Sequence, residues 1–455
     1  MRPDLLMTLK NDRRVIFGWA MYDWANSAYA TTVAALLPAF FAGVVVPEGG
    51  YQLWGRLYDG QTLWGYLVGL VAFGIFLVTP VLGAIADFSA TKRRFLRAFF
   101  SVGALLVTTL VFVGTGDVIL TMVLFIITQV GFIAGNVFYD GFLPDITTSE
   151  TIDRVSAKGF GLGYLGGGLH LALAFALITL HEQVGITEKL AVRIGLATVG
   201  LWWLAFGFFA LRRLPETGRA QPLPGRYQEL VRPAAYARVG LERTARTARR
   251  MIGFPHLLLF VAAFIIYNDG IATTIALSSV YAADTLRLDA AAIALTFLIV
   301  QFVAFPGSLA FGWLAGRIGA KAAILVSLVI WVAIMVLAYR IPEGAATQLF
   351  LVGALVGLVL GGAQALSRSL YGSMIPEEAS AEFFGFYSVF SKFSAIWGPL
   401  IFALVSDLTG SARNSILSLI LFFVVGGLLL SRVNVEEARA SRLRWGFEGA
   451  EVEVA

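Results

Sequence analysis

The chain of 455 residues contains no cysteine at all. Disulfide bonds, thiolate metal sites and a cysteine nucleophile are therefore excluded. Charged residues are also scarce, at 14% of the chain, whereas soluble domains carry roughly 25%. Hydrophobic residues instead make up 58% of the chain. This balance is typical of an integral membrane protein.

Sequence signatures of catalysis and of nucleotide binding are missing as well. The chain has no Gly-x-x-x-x-Gly-Lys-Ser/Thr loop, no His-Glu-x-x-His and no Gly-x-Ser-x-Gly. The glycines between Gly159 and Gly168 follow no strand, so they indicate close helix approach rather than a dinucleotide loop. We therefore expect no enzyme activity, no cofactor and no metal site.

Long apolar runs organise the rest of the sequence. Twelve segments are long enough to cross about 30 Å of hydrocarbon, six of them between residues 15 and 211 and six between 257 and 430. The polar stretch between these two sets carries ten arginines. We predict an all-α membrane protein with an N-terminal six-helix bundle (1–211), a basic linker (212–255), a C-terminal six-helix bundle (256–432) and a tail (433–455).

The basic residues predict the orientation. The N-terminus, the loops after even-numbered segments and the tail hold 26 of the 34 Lys and Arg. The positive-inside rule then places both termini in the cytoplasm of a plasma or inner membrane protein. The sequence pI near 9.4 follows from this topology, so we expect no nucleic-acid partner. Residues 238–250 are either an amphipathic helix on the membrane surface or a plain connector with lipid-facing charge.

Short internal repeats relate the two halves. Asn26–Thr32 (NSAYATT) returns as Asn268–Thr274 (NDGIATT), each inside an apolar run. Tyr139–Pro144 and Tyr371–Pro376 end equivalent segments with a tyrosine and a proline five residues apart. These matches predict two parallel six-helix repeats related by an axis along the membrane normal.

A second repeated motif ends the second segment of each half. Gly83–Asp87 (GAIAD) is followed by Lys92–Arg94, and Gly312–Gly316 (GWLAG) stands in the equivalent place. The first copy resembles the motif of the major facilitator superfamily, in which the aspartate and the basic residues form charge contacts between helix ends. This resemblance implies a cytoplasmic gate, although an ordinary basic turn would look similar. The gate residues so predicted are Gly83, Asp87, Lys92, Arg93 and Arg317.

The resemblance can be narrowed further. Tyr22–Ala28 (YDWANSA), Gly161–Gly167 (GLGYLGG), Gly361–Leu370 (GGAQALSRSL) and Phe384–Tyr387 (FGFY) resemble the autophagy-related vacuolar effluxer family and its bacterial relatives, the unknown major facilitator family. The likeness extends over residues 19–399. It implies the major facilitator fold and secondary transport, with amino-acid efflux associated with the eukaryotic members.

Polar residues at membrane depth give an independent argument for transport. They occur on segments one, four, five, seven, ten and eleven, whereas the peripheral segments three, nine and twelve have no ionisable residue in their interiors. Ionisable groups at this depth turn toward a cavity or a partner. The predicted substrate and ion cavity consists of Asp23, Asn26, Asn136, His170, Asn268, Asp269, Gln364, Arg368 and Lys392.

Roles can be suggested for some of these residues. Asp23 or Asp269 would exchange a proton, while Lys392 and Arg368 would bind a substrate carboxylate or an ionised aspartate. A fixed structural ion pair between Asp269 and Lys392 is the alternative, and Arg368 could also reach water at the membrane boundary. His170 is expected to be a hydrogen-bonded cavity residue rather than a metal ligand.

The predicted function is therefore a proton- or sodium-coupled secondary transporter of a small polar solute, with amino-acid efflux preferred, acting as a monomer in the lipid bilayer. A sugar, osmolyte or drug exporter of the same fold is an alternative. A non-transporting membrane receptor or scaffold is the alternative from another class.

Overall fold

The computed structural model describes residues 10–442 except 219, 228 and 395. Twelve helical spans in this part of the chain are long and apolar enough to cross a membrane, as the sequence predicted. In chain order α1 to α6 are Arg13–Val45, Gly60–Ser89, Lys92–Phe112, Val118–Ile146, Ile152–Thr179 and Glu188–Leu211. The second six, α7 to α12, are Pro255–Thr285, Ala290–Ile318, Ala320–Arg340, Ala346–Met374, Glu377–Thr409 and Ala412–Ser431.

Helix is the expected conformation of these spans because every backbone N–H must find its acceptor inside a segment surrounded by lipid. The span ends use side-chain caps. Asp12 accepts the N–H groups of Arg14 and Val15, and Asp59 accepts the N–H of Thr62 at the start of α2. The exposed cap lowers the pKa of Asp59, chiefly through the Thr62 N–H bond.

Smaller elements lie outside the spans, among them a hairpin and two helices. A hairpin between α1 and α2 pairs β1 (Tyr51–Leu53) with β2 (Arg56–Tyr58). The connector helix (Arg232–Met251) joins the two halves, and the tail helix (Val435–Arg442) follows α12. The connector helix rests on α2, because a Cβ at Gly240 would lie 2.6 Å from Ile85. Residues 238–250 are therefore helical, and through Gly240 they pack on the protein itself.

The apolar residues form two large cores, one for each set of six spans. Trp19, Phe100 and Trp203 are fully buried in the first, and Phe260 and Trp331 are fully buried in the second. Each bundle therefore has an interior of its own, as expected for two repeats that move relative to each other.

The repeat predicted from sequence is visible where the bundles touch. Gly83 of α2 lies against Ala381 at the start of α11, so closely that a Cβ would overlap the Ala381 carbonyl oxygen. In the equivalent place, a Cβ at Gly312 of α8 would lie 2.5 Å from the Ala157 Cβ of α5. The two glycines thus provide the same close approach in the two halves.

The bundles meet at one end, which we call the basic end because it carries Lys10 and Arg442, the first and last described residues, together with the connector helix and the loops after even-numbered spans. Hydrogen bonds here run from Ser380 Oγ to the Gly141 carbonyl at 2.7 Å and from Ser156 Oγ to the Ala365 carbonyl at 2.7 Å. An ion pair joins Lys10 to Glu377 at 2.7 Å. The structure is therefore closed at the basic end.

Candidate functional site

A cluster of charges lies where the bundles meet, and we call it the charge cluster: Asp23 of α1, Asp140 of α4 and Arg368 of α10. Arg368 Nη1 lies 3.0 Å from Asp140 Oδ1 and 3.3 Å from Asp23 Oδ2. Only 3% of Arg368 and 8% of Asp23 are exposed. One guanidinium of the second bundle is thus shared by two carboxylates of the first.

Other groups of the first bundle satisfy the remaining donors. Arg368 Nε donates to Ser156 Oγ and Nη2 donates to the Ser156 carbonyl, each at 3.0 Å. Tyr139 donates its hydroxyl to Asp23 Oδ2 at 2.8 Å. A buried charge is tolerated only when it is paired and hydrogen-bonded, and here all the acceptors of Arg368 come from the opposite bundle.

Aromatic rings enclose the guanidinium. The Arg368 Cζ atom lies 4.2 Å from the ring centre of Phe160 and 4.8 Å from that of Trp19. Gly159 leaves the space for this arrangement, because a Cβ there would lie 2.8 Å from Asp23 Oδ2 and 3.0 Å from Arg368 Nη2. The cluster is therefore screened from water, and its charges interact strongly.

The α5 glycines further along also have a packing role. A Cβ at Gly166 would lie 2.6 Å from the Trp24 carbonyl oxygen, and one at Gly167 would lie 2.8 Å from the Ser27 carbonyl oxygen. Close approach of α5 to α1, as expected from the sequence, is confirmed.

The uncharged candidates of the first bundle form separate pairs near the cluster. Asn26 Nδ2 donates to Asn136 Oδ1 at 2.5 Å, and His170 Nδ1 lies 2.9 Å from Thr32 Oγ1. Gln364 of α10 accepts the Tyr164 hydroxyl of α5 at 2.5 Å, so it adds a further contact between the bundles.

Asp269 has partners that the sequence did not suggest. Its carboxylate accepts the backbone N–H groups of Trp397 and Gly398 at 3.0 and 2.9 Å, together with the Thr273 hydroxyl. Span α11 is divided into two helices, Ser380–Phe393 and Trp397–Thr409. Asp269 therefore caps the N-terminus of the second helix, where the unpaired N–H groups and the helix dipole favour a carboxylate.

The alternative of a fixed ion pair between Asp269 and Lys392 is therefore not found in this state. Among the ion pairs of the described residues none joins the two, and Lys392 is exposed. The neighbouring Asn268 donates its amide to Ser394 Oγ at the helix break, at 2.5 Å. The helix break puts the N–H groups of Trp397 and Gly398 within hydrogen-bond distance of Asp269. These N–H groups, and not Lys392, are the partners of the Asp269 carboxylate.

The direction of Lys392 follows from its helical face. Ala381 and Gly385 of α11 contact the first bundle, Gly385 against Pro80 of α2. Lys392 lies seven residues beyond Gly385, on the same face. Span α2 runs antiparallel to α11, so the residue at the same depth as Lys392 on α2 lies seven residues before Pro80. This residue is Phe73, whose side chain is 63% exposed. Lys392 and Phe73 thus lie one step further from the basic end than the contact between Gly385 and Pro80.

Two residues of the predicted gate, Asp87 and Lys92, contact each other and the opposite bundle. Lys92 Nζ lies 3.2 Å from Asp87, 2.8 Å from Asp145 and 2.6 Å from Ser380 Oγ. Asp87 also accepts the backbone N–H of Glu382 at the start of α11, at 2.8 Å. Asp87 and Lys92 therefore fasten the ends of α2 and α3 to α11.

Two other predicted gate residues lie elsewhere. Arg317 is exposed, with its guanidinium stacked 3.9 Å from the Trp313 ring centre. Position 316 is a glycine, and the side chain of Arg154 of α5 lies beside it. A Cβ at Gly316 would lie 3.1 Å from Arg154 Nη2. Arg93 contributes its backbone N–H, which Glu216 accepts at 2.8 Å. The expected gate contact of Arg317 is therefore wrong for this structure.

Asp140 and Glu382 were missed as site residues. Asp140 stands inside the Tyr139–Pro144 repeat, which by itself indicates only the end of a segment. Its replacement by Gly372 in the second copy was the available signal that the position is charged in one half only. Glu382 is fully buried and its carboxylate lies 3.3 Å from Arg243 of the connector helix.

Replacing Asp269 with Asn should have a modest effect, because the amide oxygen can still cap the second helix of α11 while one backbone N–H loses its acceptor. We expect a loss of about 1 kcal/mol of stability for Asp269→Asn and about 2 kcal/mol for Asp269→Ala, measured by thermal unfolding of the purified protein. The control is Asp407→Asn, because Asp407 is an exposed aspartate of α11, the span that Asp269 caps. An Asp269→Asn variant that abolishes the pH dependence of transport would contradict a capping role.

Comparison with known proteins adds the family. Residues 11–442 match the family described as "Vacuole effluxer Atg22 like". The uncharacterized MFS-type transporter YxiO of Bacillus subtilis is 32% identical over 421 residues, covering 92% of this chain and 94% of that protein. Autophagy-related protein 22 of Neurospora crassa is 28% identical over 64% of this chain, which corresponds to 41% of its own length.

Solved structures share the fold at low sequence identity. The major facilitator superfamily transporter FucP, in the outward conformation, has a TM-score of 0.65 at 14% identity and covers 93% of this chain and 100% of its own. A bacterial homologue of the iron transporter ferroportin, in the outward-facing state, has a TM-score of 0.60 at 14% identity and covers 92% and 98%. The chain is a membrane transporter of the major facilitator fold and belongs to the Atg22-like family.

Proposed function

We propose that this chain is a proton-coupled secondary transporter that exports small polar solutes, preferably amino acids, by alternating access. It would act as a monomer in the cell membrane with the basic end in the cytoplasm, in keeping with the positive-inside rule. The closed basic end then corresponds to an outward-facing state.

The observation that carries this proposal is that all partners of Arg368 belong to the opposite bundle. Its two carboxylate partners and its Ser156 acceptors belong to the first bundle, whereas Arg368 belongs to the second. Opening the basic end separates them. Since breaking a buried pair by removing one partner costs about 3–5 kcal/mol, each side must find a replacement partner when the bundles part.

The replacement partners define the coupling. Asp23 and Asp140 would be left facing each other without a cation, and two neighbouring carboxylates favour binding a proton. Arg368 would be left without an anion, and a substrate carboxylate can occupy its donors. Proton uptake by the first bundle and solute binding by the second would thus accompany the same movement. A sodium ion is the alternative counter-charge for the two aspartates.

The opposite end of the path supports a carboxylate-bearing solute as well. Lys392 and Phe73 are both exposed, one step beyond the contact between Gly385 of α11 and Pro80 of α2. A lysine can bind a carboxylate, and an aromatic ring packs against the apolar part of a solute. Lys392 would therefore be the first or last contact of the solute on the outward-facing side.

Substrate binding can be tested by thermal stabilisation of the purified chain with amino acids, dipeptides, sugars, osmolytes and lipophilic cations. A ligand at 100 times its dissociation constant should add about 2.7 kcal/mol of stability. We expect one group of amino acids to stabilise the protein, and Lys392→Ala to weaken this binding at least about tenfold. Lys189→Ala, which removes an exposed lysine outside the inter-bundle space, should leave it unchanged.

The other outcomes of this test discriminate the alternatives. Stabilisation by sugars, osmolytes or lipophilic cations alone would overturn the amino-acid assignment in favour of another exporter. Binding of a ligand without its movement across proteoliposome membranes would favour a receptor. Equal loss in the Lys392 and Lys189 variants would refute the carboxylate contact.

A further inference from the structure

A cleft at the basic end lies apart from the inter-bundle site. It is bordered by the end of α2, the start of α3 and the polar segment after α6, and its volume is about 940 Å³. Ligand sites in proteins typically measure about 300–1,000 Å³. We refer to it as the arginine cleft, because Arg93, Arg94 and Arg97 line it.

The charge of the arginine cleft is unbalanced. Its three guanidinium groups face one carboxylate, that of Glu216. Among the ion pairs formed by the described residues, none includes Arg93, Arg94 or Arg97. Arg94 and Arg97 are exposed, and their charges are available to a ligand.

Glu216 is already engaged by the protein. Its carboxylate accepts the Arg93 backbone N–H at 2.8 Å, in the first turn of α3. Burial raises the pKa of Glu216, although this bond and the nearby arginines oppose the shift. The carboxylate thus offers the three arginines less compensation than a fully exposed one would.

The position of the arginine cleft indicates the source of a ligand. Span α2 ends at Ser89 and α3 begins at Lys92, so the cleft brackets the boundary between hydrocarbon and water. Phosphate groups of lipids lie at this depth, and clustered arginines bind phosphate through paired N–H donors.

We propose that the arginine cleft binds a phosphate-bearing anion, supplied by the headgroup of an anionic phospholipid. Guanidinium groups of Arg93, Arg94 and Arg97 contact the phosphate oxygens. The ligand sits between the α2–α3 turn and the segment around Glu216, beside the Lys92 gate. This site is independent of the substrate path.

The test uses the purified full chain in detergent, with bound ligand counted by native mass spectrometry. Short-chain phosphatidylglycerol, short-chain phosphatidylcholine, glycerol 3-phosphate and inorganic phosphate are the probes, at constant ionic strength. We expect the combined Arg93→Gln, Arg94→Gln and Arg97→Gln variant to bind phosphatidylglycerol about a hundredfold more weakly, from about fivefold per arginine.

A matched control removes equal charge from the same end. Arg238, Arg246 and Arg249 are exposed on the connector helix, and their combined replacement by Gln should leave phosphatidylglycerol binding within about twofold of the unaltered chain. If the cleft variant does not fold, the single variant Arg97→Glu takes its place.

Each outcome decides the proposal. Loss of phosphatidylglycerol in the cleft variant alone supports the site and its lipid source. Binding of glycerol 3-phosphate or inorganic phosphate with the same dependence on the three arginines, without phosphatidylglycerol binding, supports the phosphate site with a soluble source. Equal weakening in both triple variants, equal binding to phosphatidylcholine, or no binding of any probe overturns it.

Discussion

Replacing Arg368 with Gln should reduce solute flux at least about a hundredfold. The change leaves Asp23 and Asp140 buried without their cation, which costs about 3–5 kcal/mol, and it removes the donors proposed for the substrate carboxylate. Arg368 contacts both aspartates and Ser156 in the closed state. Flux of a radiolabelled amino acid into or out of proteoliposomes measures the effect.

Two controls separate this effect from general damage. Arg317→Gln removes an exposed arginine that stacks on Trp313 at the end of α8. Solute flux of this variant should stay within about twofold of that of the unaltered chain. Combining Arg368→Gln with Asp23→Asn and Asp140→Asn makes the charge cluster neutral, so it should recover thermal stability without recovering coupled transport. Flux near the unaltered level in Arg368→Gln would remove this residue from the mechanism.

Adding one methyl group at Gly83 should shift the conformational equilibrium toward opening of the basic end. A Cβ there would overlap the Ala381 carbonyl oxygen of the opposite bundle. Overpacking of this kind costs about 1–3 kcal/mol, which changes the ratio of closed to open molecules about 5- to 150-fold. Transport should fall because one of the two alternating states becomes rare.

The chain is well suited to measuring this shift, because it has no cysteine of its own. Spin labels on cysteines replacing Glu150 and Glu378, which are exposed at the basic end of the two bundles, report the distance across the gate. Gly74→Ala on the same span is the matched control, since a Cβ there meets no atom within 4 Å. Equal distance distributions in the Gly83 and Gly74 variants would contradict the steric account.

Much of the fold could be predicted from the sequence because lipid imposes a simple rule. Every span must be apolar and helical, so the twelve spans follow from hydropathy alone. For residues 238–250 the sequence leaves a helix and a plain connector open, and the structure forms the helix. The glycine contacts of α5 and of Gly83 were likewise predictable, because small residues mark close helix approach.

The pairing of charges was harder to predict, for a physical reason. Hydropathy places Asp23 and Arg368 at membrane depth, but it does not fix the rotation of one bundle against the other. The sequence therefore leaves open whether Arg368 binds a substrate carboxylate or an ionised aspartate, and in this state it binds Asp23 and Asp140. The partners of Asp269 depend on the break between Phe393 and Trp397, which an uninterrupted apolar pattern does not reveal.

The most direct test of the central claim measures proton and solute movement together. Proteoliposomes containing the unaltered chain and an enclosed pH-sensitive dye are given an amino acid that stabilises the protein. We expect solute movement to be accompanied by proton movement in the same direction, and the combined Asp23→Asn and Asp140→Asn variant to show no proton movement. Solute movement without proton movement, or undiminished proton coupling in that variant, would contradict the claim that the charge cluster couples the two.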